Sequence, residues 1–98
     1  MMTINFLLQA LRILHSNIYT DDEVRMIYDF LKSVDDEDMN EYYNTCSIIS
    51  YGCDLELYVE VINMVVKIYE QNEEYEKCTI LQAKKQKTLD IICYYDQN

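Results

Sequence analysis

The chain has 98 residues, half of them hydrophobic, with one glycine, no proline and a formal net charge of −10 at pH 7. This length fits a single domain, residues 1–98, and the near absence of turn residues argues against a strand-rich fold. A negative charge of this size disfavours direct binding to nucleic acid or to anionic membranes. It favours a protein partner with a basic surface.

The amino-terminal segment lacks the basic region and the small-residue cleavage site of a secretory signal. We therefore expect a cytoplasmic protein, in the host cytoplasm if the source is a virus, with its cysteines as free thiols. Residue types with AT-rich codons greatly outnumber those with GC-rich codons. This usage is typical of low-GC bacteria, their phages and some large viruses.

The first predicted helix begins after Thr3 and ends near His15, and its apolar face is unusually wide. Apolar side chains recur at helical spacing, and further apolar residues broaden the stripe on both sides. So small a domain has too little surface to cover such a face. We therefore predict a homodimer whose interface contains Leu7, Leu8 and Leu11.

The second predicted helix has the clearest start signal in the chain. Thr20 and Glu23 form a capping box, and Tyr19 and Val24 occupy the positions of a hydrophobic staple. A third helix is predicted to begin at Asp35 or Asp36 and to run to about residue 51. Gly52 then stands where a helix commonly ends in the left-handed conformation.

The fourth predicted helix, residues 55–71, is apolar around most of its circumference. Its polar residues fall on one narrow stripe, at 56, 60, 63, 67 and 70. A helix of this kind belongs in the middle of a protein. A fifth helix is predicted from about Glu74 into the nineties, with a core side formed by Tyr75, Cys78, Leu81, Leu89 and Ile92. The expected fold is all-α, with about five helices in antiparallel hairpins around helix 55–71.

Residues 55–92 resemble a tetratricopeptide repeat. Counting from Val59, the large, large, aromatic, aromatic and small residues of that family have counterparts at Ile62, Val65, Tyr69, Tyr75 and Cys78, and the run IYEQNEEYEKC resembles its turn region. The sequence departs from the family at the turn glycine, replaced by Glu73, and at Val66, Gln82 and Lys85. The resemblance implies a helical hairpin that binds proteins or peptides and needs no cofactor.

Catalytic and metal-binding patterns are absent from the sequence. The four cysteines contain no closely spaced pair of the kind that binds zinc, and His15 is the only histidine available to activate a thiol. One glycine cannot supply a phosphate-binding loop. We expect a protein that is not an enzyme and that binds neither metal nor cofactor.

Acidic residues dominate the second half of the chain. Between residues 35 and 76 there are twelve acidic residues and one basic residue, Lys67. Ordinary surfaces intersperse lysines among their acids. Nine of these acidic residues form two clusters along the chain, and we predict that they bind the partner together with one tyrosine. The predicted partner-binding residues are Asp35, Asp36, Glu37, Asp38, Glu41, Tyr58, Glu70, Glu73, Glu74 and Glu76.

Two functional hypotheses follow from these patterns. The first is an acidic protein-binding module, such as an inhibitor from a phage or mobile element that occupies the nucleic-acid-binding surface of its partner as a DNA mimic. The alternative is a helical-repeat adaptor or chaperone that grips a peptide between hairpins. Regularly spaced surface carboxylates would favour the mimic, and an exposed apolar groove between hairpins would favour the adaptor.

Overall fold

The computed structural model describes residues 4–35, 37 and 53–96, and this part of the chain is helical apart from its links. Its four helices are α1 (Ile4–His15), α2 (Asp21–Ser33), α3 (Cys53–Gln71) and α4 (Tyr75–Asp96). The predicted all-α class is confirmed, with no strand in the described ranges. The third predicted helix lies outside the described residues except for positions 35 and 37, so the count of about five helices stays a prediction.

Helix α2 begins with the predicted capping box. The Glu23 amide donates to Thr20 Oγ1 over 3.1 Å, and the Thr20 amide donates to Glu23 Oε1 over 2.9 Å. These two bonds satisfy backbone donors that the first turn of a helix leaves without partners. The local sequence therefore determines where α2 starts.

The carboxyl end of α2 is capped by side chains from other helices. The Tyr58 hydroxyl of α3 donates to the Leu31 carbonyl over 2.6 Å, and the Lys84 ammonium of α4 donates to the carbonyl of Val34, the residue after the helix. The last carbonyls of a helix have no partners within it. Long-range contacts therefore fix this end of α2.

Helix α3 contacts all three other helices. Its predicted polar stripe is confirmed, because all five polar residues are exposed. The other faces supply much of the core, in which Leu55, Tyr58, Val61, Ile62 and Val65 are fully buried. None of the helices in the described part of the chain is long and apolar enough to cross a membrane.

The core side of α4 differs from the prediction. Cys78 and Leu81 are buried as expected and Ile92 is half-buried, but Tyr75 and Leu89 are exposed. Thr88 is buried instead. Two helical turns separate it from Leu81, so both lie on one face. Its hydroxyl donates to the Lys84 carbonyl over 2.8 Å, which satisfies the buried polar group.

Candidate protein-binding surface

The α1–α2 link and the α3–α4 turn lie at the same end of the molecule. A cleft of about 310 Å³ is lined by Asn17 and Tyr19 of the α1–α2 link and by Lys67 and Gln71 near the carboxyl end of α3, where the α3–α4 turn begins. A second cleft, of about 350 Å³, lies between the first turn of α2 and the α3–α4 turn. Side chains that are distant in sequence therefore meet at this end.

Six exposed carboxylates are gathered at this end, which we call the acidic end; its members are Asp21, Asp22, Glu70, Glu73, Glu74 and Glu76. Two large side chains with apolar surface are exposed in the connections at this end, Ile18 in the α1–α2 link and Tyr75 beside the glutamates of the α3–α4 turn. Ile18 is 86% exposed and Tyr75 is 61% exposed. Exposed tyrosine rings with a polar rim are enriched at protein interfaces.

Two ion pairs lie within the acidic end. Arg25 contacts Asp22 over 3.2 Å, and Lys77 contacts Glu74 over 3.2 Å. Both pairs join residues three apart, within α2 for Asp22 and Arg25 and between the residue before α4 and its first turn for Glu74 and Lys77. Their side chains are partly or largely open to solvent. Exposed pairs of this kind add little stability. The surface is predominantly negative because its six carboxylates outnumber the basic residues Arg25, Lys67 and Lys77.

The α3–α4 turn holds Glu73 in an unfavourable backbone conformation. The Glu74 amide donates to the Tyr69 carbonyl over 2.9 Å, and the Glu73 amide donates to the Glu70 carbonyl over 3.1 Å. This pair of bonds is the Schellman motif, whose penultimate position adopts the left-handed conformation and is usually glycine. Glu73 has φ 61° there. The chain therefore places a carboxylate where glycine would be more stable.

The Tyr69 ring lines the second cleft, and the Tyr28 ring packs against it. The rings of Tyr28 and Tyr69 are almost perpendicular, with centroids 5.4 Å apart. The Lys77 ammonium lies 4.8 Å from the Tyr69 centroid and 5.6 Å from the Tyr28 centroid. Burial, and secondarily the Glu74 carboxylate, raises the pKa of Tyr69 to about 12, so this phenol stays neutral at physiological pH.

The structure brings only one of the two predicted acidic clusters into this surface. In the second cluster, Glu73, Glu74 and Glu76 lie around Tyr75 on one side and Glu70 lies on another. In the first cluster, Asp35 and Glu37 are exposed but follow the opposite end of α2, about 20 Å from its start by helical rise. The remaining members, Asp36, Asp38 and Glu41, lie outside the described residues.

The predictions that Tyr58 and Leu7 lie in contact surfaces are wrong. Tyr58 is completely buried because it lies on an apolar side of α3 and its hydroxyl reaches the Leu31 carbonyl. Leu7 is completely buried in the core, so it cannot form a dimer contact. Leu11 is half-buried against the core, whereas Leu8 on the outer side of α1 is 46% exposed.

Sequence reasoning missed Asp21, Asp22 and Tyr75 as members of the surface. The two aspartates were in neither predicted acidic cluster, and Tyr75 was predicted on the core side of its helix. The short links between successive helices were the signal available in the sequence. Short links join antiparallel neighbours, so the first and third connections of a bundle lie at the same end.

The buried thiol nearest the acidic end is not activated. Burial raises the pKa of the Cys78 thiol, and the Glu70 and Glu74 carboxylates add to the shift, so the thiol stays protonated. Within residues 4–35, 37 and 53–96, no three metal-binding side chains are grouped to hold an ion.

Comparisons with protein-family models, with characterised proteins and with solved structures find no match to this chain.

Proposed function

We propose that the protein is a non-enzymatic binding module that docks its acidic end on a basic surface of a partner protein. The observation that carries this proposal is Tyr75, which is 61% exposed and has exposed glutamates on two sides. Tyrosine anchors are enriched where binding energy concentrates, because the ring offers apolar area with a polar tip. The surrounding carboxylates would select a cationic partner and accelerate its association.

The backbone of Glu73 supports the same proposal. A residue other than glycine in the left-handed conformation is destabilised by roughly 1 kcal/mol or more. Local strain of this kind concentrates at functional sites, where it is offset by the surrounding structure. We infer that the carboxylate at the turn is retained for binding.

A nucleic-acid-binding protein is the partner class we propose, with the chain acting in the cytoplasm as an inhibitor of the phage or mobile-element type. A cationic groove that binds phosphates would also attract the carboxylates of the acidic end. Along α3 the exposed glutamates at 56, 60 and 70 are unevenly spaced and Lys67 interrupts them. This spacing favours docking through the acidic end over a phosphate-like row along the helix as a DNA mimic.

The helical-repeat adaptor remains the alternative proposal, with five helices in antiparallel hairpins around α3 and the tetratricopeptide-like segment 55–92 as its binding unit. An apolar groove lies between α1 and α2, where Met26 is exposed beside Phe6 and Ile13, rather than between the predicted hairpins. The groove encloses only about 120 Å³. Ligand pockets typically measure about 300–1,000 Å³, so this groove supports the adaptor weakly.

Charge reversal at the turn tests the leading proposal. Glu73→Lys combined with Glu76→Lys should remove basic proteins from those that the immobilised chain captures from a lysate of its source organism. The physical reason is that two attractive contacts become repulsive at the centre of the surface. Quantitative mass spectrometry of the captured proteins measures the loss.

The matched control is Glu56→Lys with Glu60→Lys, which changes the net charge equally at exposed positions on α3. This control should retain the captured proteins. Equal loss from both variants would mean that only overall charge matters, and no loss from either would reject the acidic end as a binding surface.

We also propose a homodimer with α1 in or near the interface, through Leu8 and the partly covered Leu11. Leu8→Glu should then give a monomer in light scattering at tens of micromolar, because it puts a charge into an apolar contact. Met26→Glu, the same kind of change on α2, should leave the dimer intact. A monomeric unmodified chain at that concentration would reject the dimer.

A further inference from the structure

We propose that the 350 Å³ cleft between α2 and the α3–α4 turn binds an arginine side chain of the partner, and that Lys77 occupies this site in the free protein. The inference rests on the proposed function and states where one cation of the basic partner would bind. The site is built from the Tyr69 ring, with the Tyr28 ring behind it, and from nearby carboxylates. Lys77 of the chain itself lies against the two rings.

The aromatic component is the perpendicular pair of Tyr28 and Tyr69. The Lys77 ammonium lies within 6 Å of both ring centroids, at 5.6 Å and 4.8 Å. Ring faces carry negative electrostatic potential and attract cations at this range. Two rings set at 89° to each other therefore form a corner that favours a cation over a neutral group.

The carboxylate component comes from two elements. Glu74 lies 3.2 Å from the Lys77 ammonium, and Asp21 lines the same cleft from the first turn of α2. Arg25 also lines the cleft, but its guanidinium pairs with Asp22 over 3.2 Å. The cleft thus offers acceptors to an incoming cation on both of its walls.

Lys77 is held weakly enough to be displaced. Its ion pair with Glu74 joins partly exposed side chains, 35% and 43% open to solvent, and such pairs add little stability. A guanidinium group is planar, so it stacks on aromatic rings and binds a carboxylate through two parallel hydrogen bonds. An ammonium group on a flexible stem does neither, so an arginine of the partner would replace Lys77.

The test is a titration with a tripeptide, Gly-Arg-Gly with both ends capped, followed through the ring signals of Tyr28 and Tyr69 in nuclear magnetic resonance spectra. Lys77→Ala should bind the tripeptide about threefold to tenfold more tightly than the unmodified chain, because the internal competitor is gone. The same peptide with citrulline in place of arginine should not bind, because citrulline keeps the shape and lacks the charge.

Lys67→Ala is the matched control, since it removes the same charge from an exposed site on α3. Its affinity should stay within about twofold of the unmodified chain, because surface charges are screened over distance. Lys77→Gln, which keeps most of the stem, provides a second variant if Lys77→Ala does not fold. The inference is overturned if the Lys77 variant binds no more tightly than the Lys67 variant, or if the tyrosine signals do not move.

The titration tests the arginine site independently of the proposed function. It uses a tripeptide and needs no partner protein, whereas the capture experiment changes Glu73 and Glu76 outside the cleft. If the tripeptide does not bind but protein capture depends on Glu73 and Glu76, the arginine site alone is rejected. A tripeptide that binds as expected, with no protein captured through the acidic end, would reject the proposed function alone.

Discussion

Val65→Asp is expected to abolish cooperative folding of the domain. Val65 lies on α3, the helix that contacts the three others, and is completely buried. A carboxylate there would lose its hydration without gaining a partner, which costs several kcal/mol. The total stability of a domain of this size is only about 5–15 kcal/mol. Far-UV circular dichroism during urea titration measures the loss.

Asn63→Asp is the matched control, because it puts the same carboxylate two residues away on the exposed stripe of α3. Its unfolding free energy should change by less than about 0.5 kcal/mol. If Val65→Asp unfolds with the same midpoint and slope as the control, the position of α3 in the core is wrong.

Tyr58→Phe is expected to lower the unfolding free energy by about 1–3 kcal/mol, the usual penalty for leaving a buried polar group without its hydrogen-bond partner. The Tyr58 hydroxyl donates to the Leu31 carbonyl, and Leu31 is in the last turn of α2. Phenylalanine keeps the ring packing and leaves that carbonyl without its donor. Thermal unfolding should show the change as a lower Tm.

The control for this substitution is Tyr75→Phe, which removes a hydroxyl from an exposed ring. It should leave the Tm unchanged. Equal effects of the two substitutions would contradict the interhelical capping of α2 by Tyr58.

The same tyrosine gives the protein a pH dependence above pH 10. Burial raises the pKa of Tyr58 above its ordinary value of 10.0, because the folded protein disfavours a buried phenolate. The unfolded chain therefore loses this proton first. The contribution to stability is fully present below pH 10 and declines as the pH rises through the raised pKa. Tyr58→Phe should make this alkaline decline less steep.

Local patterns in the sequence predicted the local structure well. The capping box at Thr20 and Glu23 involves residues three apart, and the polar stripe of α3 depends only on helical periodicity. Both need no knowledge of the neighbouring helices. The Schellman turn was harder to predict, because Glu73 stands where glycine marks such an ending.

The two tyrosines at 58 and 75 show what the sequence could not reveal. Tyr58 lies on an apolar side of α3, and it can be buried completely because a carbonyl 27 residues earlier in the chain accepts its hydroxyl. Tyr75 is exposed although its spacing matches the core side of α4, because it is the first residue of that helix and lies at the open α3–α4 turn. Tertiary contacts decided both positions, and they moved the candidate anchor from one tyrosine to the other.

The composition of the acidic end also depended on tertiary structure. The sequence grouped acids by their separation along the chain, which joined Glu70 to Glu76 correctly and omitted Asp21 and Asp22. Those two aspartates reach the surface because the α1–α2 link and the α3–α4 turn are neighbours in space. The sequence predicted the sign of the surface and only part of its membership.

The most direct measurement of the central claim is the rate of association with a captured basic partner as a function of salt concentration. Association that is accelerated by surface charges slows as the salt concentration rises, because charges are screened within roughly 8 Å at physiological ionic strength. Glu73→Lys with Glu76→Lys should slow association and flatten its salt dependence, whereas Tyr75→Ala should chiefly speed dissociation. If neither variant changes a rate constant at any salt concentration, the acidic end is not the binding surface.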